Sequence, residues 1–163
     1  MNSWENLKHF KADDKRHAWG DPSKLDFFLL LFLDEFRDAV KTPLFVTSGF
    51  RPKDKGQHGE GRAVDIVAPE WNKPLFDLYL FAERFGFGGI GVYRDWFYAG
   101  ERLGGLHLDT RITVGSYASS LMSARWACVR PGLNKLSNLE AAQKIPQVYL
   151  PMDSATLKKE GFI

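Results

Sequence analysis

Two histidines and an aspartate stand at spacings that could bring them to one metal ion. His58 and Asp65 lie within Gln57-His58-Gly59-Glu60-Gly61-Arg62-Ala63-Val64-Asp65, and His107 lies within Leu106-His107-Leu108-Asp109. Three nitrogen or oxygen ligands with a position left for water is the pattern of a catalytic zinc, whereas a structural zinc closes its shell with four protein ligands, often thiolates. The chain has one cysteine, Cys128, which excludes a thiolate site and an internal disulfide. As a small apolar side chain, Cys128 belongs in the core.

Spacing says how the three could meet. His58 and Asp65 are seven apart across two glycines, so a loop carrying the imidazole can fold back over a strand carrying the carboxylate. His107 and Asp109 are two apart in an extended pattern and therefore share a face. If His107 binds metal, Asp109 stands beside it, either bonding a ligand imidazole to fix its tautomer or acting on the substrate. His9 and His17 sit in a segment without such a pattern and read as surface or internally satisfied histidines.

The elements that must hold these residues can be read from periodicity. Asp21-Pro22 opens a helix, with Asp as N-cap and Pro first, running to about Lys41. Leu25, Phe28, Leu29, Phe32, Leu33, Phe36 and Val40 form its apolar stripe, opposite Asp34, Arg37 and Asp38. Strands are expected at 43–48, 62–67, 89–93 and 105–110, with a second helix at 74–85 capped by Gly86. The segment 94–104 reads as a loop whose aromatics, with Tyr93, either wall a cleft or pack on the core. Further helices are expected at 116–126 and 137–144, and 148–163 mixes turns with a short helix. The fold class that follows is α+β, a small, mostly antiparallel sheet carrying the ligands and flanked by helices.

Composition narrows the partners. At 163 residues the chain has the size of one domain, 1–163, with a real core. Aromatics make up 14% of residues, 13 of them Phe, which suits a packed core or an aromatic-lined cleft. A net charge of +2, with Lys and Arg scattered, gives no nucleic-acid footprint. The longest apolar run, Phe27 to Leu33, falls far short of the roughly 20 residues that span a bilayer, so membrane insertion is not expected. The opening residues show no positive leader and apolar stretch, so the expectation is cytoplasmic synthesis without a signal peptide, as a monomer.

Ser48-Gly49-Phe50-Arg51-Pro52, Gln57-His58 with Gly61, Ala63 and Asp65, Gly89-Ile90-Gly91-Val92-Tyr93, and Leu106-His107-Leu108-Asp109 together resemble the zinc D-alanyl-D-alanine carboxypeptidase family. That family includes L-alanyl-D-glutamate endolysins of phages and shares its fold with hedgehog domains. The resemblance covers about residues 20–126, with Ala124-Arg125-Trp126 as a trailing element, and assigns no role to 127–163. It implies a zinc peptidase of peptidoglycan stem peptides, with zinc held by His58, Asp65 and His107. It also implies that Arg51 faces the substrate, polarising the scissile carbonyl or binding a carboxylate. Ser48 and Gln57, from the same motifs, join Arg51 in substrate binding.

In such enzymes the general base commonly stands two or three residues before the last zinc histidine. Here those positions are Gly105 and Gly104, which leaves Glu101, as in hedgehog domains, or Asp109. Glu101 is taken as base and Asp109 as support to the site. Both a carboxypeptidase and an endopeptidase fit, and a phage endolysin released to the wall by host lysis fits the absent leader. The alternatives are a non-catalytic zinc-containing module that binds a peptide or the cell wall, and a phage structural component with a vestigial site.

Overall fold

Alternation in the two ligand-bearing segments becomes the centre of a sheet. The computed structural model describes residues 4–111, 124–130 and 146–163. Strands β1 (Phe45–Ser48), β2 (Ala63–Val67), β3 (Gly89–Tyr93), β6 (Gly105–Asp109), β7 (Ala124–Val129) and β8 (Val148–Leu150) form one sheet in the order β1-β2-β6-β3-β7-β8. Its pairings are antiparallel except β3 with β7. Strands β4 (Phe97–Tyr98) and β5 (Glu101–Arg102) make a separate hairpin. Helices α1 (Phe27–Val40), α2 (Leu75–Phe85) and α3 (Ser154–Lys159) complete the described elements, an α+β arrangement.

One face of the sheet is apolar. Val64, Ile66, Leu106, Leu108, Ile90 and Val92 are buried with Leu29, Leu30, Leu33 and Phe36 of α1 and Leu78 and Ala82 of α2 in a single cluster. Removing these side chains from water is the main stabilising term. The other face carries Asp65, His107, Asp109, Tyr93 and Trp126, set by register as described below. The outer edge of β1 is closed by the N-terminal segment: Ala18 N–H donates to Val46 O and Gly49 N–H to Ala18 O, both at 2.8 Å. This covering leaves less free edge for unwanted pairing.

Several expectations need correction. Asp21 caps only a 3-10 turn, Pro22–Lys24; Leu25 is extended, and α1 starts afresh with Asp26 accepting from Phe28 N–H at 2.7 Å. The stripe of α1 is rotated from the one read by spacing. Phe28 is 60% exposed, stacking on Phe32, while Leu30 and Asp34 are buried. Asp34 tolerates this because its carboxylate accepts from the backbone N–H groups of Lys8 and His9, fastening the N-terminal segment to the helix. The segment 94–104 is a hairpin rather than a plain loop. Ala124–Trp126, assigned to a helix, begins β7, because its partner β3 lies parallel beside it. The rest of that helix and the one at 137–144 lie outside the described residues. Beyond them, Val148–Leu150 forms an edge strand and α3 is capped by Asp153. No helix among the described residues is long and apolar enough to cross a membrane.

Candidate metal centre

Register assembles the site. Ser48 pairs with Asp65, Asp65 with His107, His107 with Gly91, and Gly91 with Trp126, so one row of side chains crosses β1, β2, β6, β3 and β7. Residues directly opposite across a ladder point to the same face. A bulge between Val46 and Ser48 bends the end of β1. The loop that follows carries His58, and its carbonyl accepts from Arg51 N–H and Gly61 N–H, each at 3.2 Å. Gly61 has φ +71°, and a Cβ there would lie 1.9 Å from Lys24 O. That requirement explains the glycine in the motif.

His58, Asp65 and His107 are all buried and form a group that could hold a metal ion. His107 Nδ1 is 2.9 Å from Asp65 Oδ1, His58 Nε2 is 3.3 Å from the same oxygen, and the two nitrogens are 3.2 Å apart. Ligand atoms about 2.0–2.1 Å from a tetrahedral zinc would be separated by roughly 3.3 Å, so the triangle fits such an ion.

The outer nitrogens decide which atoms face inward. His58 Nδ1 donates to Gly49 O at 2.7 Å, which leaves the lone pair of Nε2 toward the cluster. His107 Nε2 donates to Asp109 Oδ2 at 3.1 Å, which leaves the lone pair of Nδ1 inward. With both rings neutral, two lone pairs and a carboxylate converge, and a cation or a proton must lie among them. Asp109, fully buried, is itself held by Arg111 Nε at 2.9 Å. A carboxylate behind a ligand imidazole fixes its tautomer and raises its basicity.

Without a metal, the contacts within the cluster shift the pKa values of Asp65, His107 and Asp109. Burial pushes the Asp65 carboxyl up, yet hydrogen bonds and charge from His107 and His58 outweigh it and hold it at about 2. Burial lowers His107, but Asp109 and Asp65 more than offset that and its pKa is raised. Asp109 is likewise held well below the ordinary carboxylate range, the bonds from His107 and Arg111 overcoming its desolvation.

The cluster opens onto a cleft of about 620 Å³ lined by Arg51, Asp54, Asp65, Tyr93, Asp95, Trp96, Phe97, His107, Arg130, Gln147 and Tyr149. Arg51 reaches Asp65 Oδ2 at 3.8 Å and Asp54 at 3.3 Å. Of the four aromatics expected near a cleft, Tyr93, Trp96 and Phe97 line it and Tyr98 stacks on Phe45.

Other expected site residues stand elsewhere. Glu101 is exposed on β5, outside the residues lining the cleft. Asp109 is behind His107 rather than in the cleft. Ser48 is level with Asp65 in the sheet, and Gln57 is 3.4 Å from Glu60; neither lines the cleft. His17 is buried, its Nδ1 accepting from Val46 N–H, and His9 pairs with Asp38.

Asp95, Arg130, Gln147 and Tyr149 were not found by reading the sequence. Asp95 follows closely on β3, whereas Arg130, Gln147 and Tyr149 reach the cleft because β7 and β8 join the far side of the sheet, and no local pattern signals that. Trp126 did leave a trace in Gly91. A Cβ at 91 would lie 2.4 Å from the Trp126 indole, whose ring packs 5.0 Å from that of His107. No protein-family model, curated protein or solved structure matches the chain.

Proposed function

We propose that this protein is a zinc-dependent peptidase of peptidoglycan stem peptides, acting as a D-Ala-D-Ala carboxypeptidase or an L-Ala-D-Glu endopeptidase of the phage endolysin kind. One observation carries the metal-dependent part: two imidazole lone pairs and the Asp65 carboxylate converge on one point at the wall of an open cleft. The family resemblance carries the substrate.

His58, Asp65 and His107 would hold a zinc ion, which would supply Lewis acidity at the cleft wall. The chain's own residues do the rest. Asp109 and Gly49 O fix the ring orientations of the two histidines. Arg51, at the cleft beside Asp65, attracts a substrate carboxylate or carbonyl. A carboxylate must take a proton from the attacking water and return it to the leaving amine. Asp54 lines the cleft next to Arg51, whereas Glu101 needs the β4–β5 hairpin to move, so Asp54 is the better placed of the two.

The test is mass spectrometry of muropeptides incubated with zinc-loaded protein. Chelator-sensitive cleavage is expected, and the product mass names the bond. Asp54→Asn should lower kcat by about 10²–10⁴-fold and Glu101→Gln by less than about threefold. Zinc and muropeptide binding without any product would instead support a non-catalytic binding module, a reading favoured by the exposed position of Glu101.

A further inference from the structure

Tyr93 is a buried donor without an acceptor. It pairs with Gly105 on one side and Cys128 on the other, two residues along β3 from Gly91, so its ring rises from the face that bears His107. Trp96 meets that ring edge-on at 5.2 Å. The Trp126 indole N–H donates to the Tyr93 hydroxyl oxygen at 2.9 Å. An indole nitrogen only donates, so the phenol is the acceptor in that bond and its own proton must point elsewhere. Among the described residues nothing accepts it. The side chain lines the same cleft as Asp65 and His107 and is 9% exposed. Burial raises its pKa above the ordinary phenol value, so it remains a donor at neutral pH.

We propose that the Tyr93 hydroxyl donates to the oxygen of the scissile carbonyl as it becomes an oxyanion, an inference that rests on the peptidase reading above. Trp126 is the positioning residue. Its indole packs at a tilt against the His107 ring, centroids 5.0 Å apart, and reaches the Tyr93 hydroxyl with its N–H, so both residues are set by one rigid side chain. Arg51, with 48% of its side chain exposed and shared with Asp54, lies at the mouth, where it suits a substrate carboxylate. In the reaction, a water oxygen bonds to the carbonyl carbon, losing a proton to the base, and the C=O π pair moves to oxygen. That oxygen accepts the Tyr93 hydrogen bond. The pair then re-forms the carbonyl as the C–N bond breaks, and the amine takes the proton from the base. Tyr93 keeps its proton throughout. A preorganised donor placed where charge develops stabilises the transition state more than the ground state.

Two variants and a binding probe test this. Tyr93→Phe should keep zinc stoichiometry and the fold, with a modest fall in Tm from the lost Trp126 bond, while lowering kcat about 10²-fold, with KM changed by less than about threefold. Trp126→Phe, which frees the phenol to rotate, should lower kcat by about tenfold. By calorimetry, a phosphinate analogue of the stem dipeptide should bind Tyr93→Phe at least about tenfold more weakly than wild type, whereas intact peptide binding to catalytically slowed protein should change little. Cleavage and phosphinate binding by Tyr93→Phe at wild-type levels would overturn the donor role and leave the peptidase reading standing. A zinc-loaded wild type that neither cleaves muropeptides nor binds the phosphinate would overturn both.

Discussion

The two faces of the sheet are about equally dry and chemically opposite. Leu106 and Leu108, on one face of β6, are 1% and 0% exposed; His107 and Asp109, on the other, are 7% and 0%. Burial alone therefore does not separate core from site. On the apolar face, stability comes from area removed from water and from close packing, and no atom has directional needs. On the polar face, the charged and imidazole groups of the cluster are tolerated because specific partners meet them: Arg111 for Asp109, Asp109 for His107, Gly49 O for His58. The outward bonds are complete, and the inward lone pairs are what remains for a ligand.

Neighbouring residues on opposite faces give the sharpest separation. His107→Ala should abolish zinc binding, a loss of well over 10²-fold in affinity, and with it any rise in Tm on adding zinc. Leu106→Ala should cost about 2–5 kcal/mol of unfolding free energy while changing zinc affinity little. Isothermal titration and chemical denaturation of both variants would show it. If each variant lost both properties equally, the faces would not be independent.

A smaller effect tests the support behind the ligands. Asp109→Asn keeps shape but weakens the acceptor facing His107 Nε2, and an amide can present the wrong group to that ring. Zinc affinity should fall about 10–100-fold, with the fold retained, as a competition titration against a chromophoric chelator would report. Unchanged affinity would make Asp109 merely a partner for Arg111. Gly91→Ala should act from the other side of His107. Its methyl would meet the Trp126 indole at 2.4 Å, and relieving that contact should cost about 1–3 kcal/mol in stability, read by urea denaturation.

How far the sequence reached also divides along these faces. The residues of the candidate metal centre were legible because short-range spacing reports them: His107 and Asp109 share a face by strand period, and the glycines around His58 signal a tight turn. The α+β class and the central strands were legible from the same periodicity. The orientation of α1 was not, since Asp34 looks polar and only the backbone N–H groups of Lys8 and His9, some 25 residues away, make its burial acceptable. Nor was the far wall of the cleft. Arg130 and Tyr149 reach the site through the parallel pairing of β7 with β3 and the addition of β8, contacts between segments distant in the chain.

The mildest test uses pH. The six apolar residues of the core face do not titrate, so Leu106→Ala should lower Tm in parallel at every pH. The site face does titrate when it holds no metal. His107 has its pKa raised in the folded protein, against about 6.5 in the unfolded chain. Its stabilising contribution is therefore complete below about pH 6.5 and lost as pH rises through the folded value. Asp65, held at about 2, contributes above the unfolded carboxylate range, near 3.9, and loses that contribution as pH falls toward its folded value. His17, buried and lowered, acts in a different window, costing stability as pH drops below about 6.5 because the unfolded chain then binds a proton that the fold excludes. Of these three groups, only His107 acts on the alkaline limb. In chelator, Tm should decline as pH rises above about 6.5; in zinc, the slope should flatten, because the metal takes the place of the proton and binds more tightly as that proton leaves. His107→Ala should flatten the chelator curve in the same interval. A slope that survives this substitution would mean that the proton between Asp65 and His107 does not support the fold, and that the inward lone pairs are organised by packing alone.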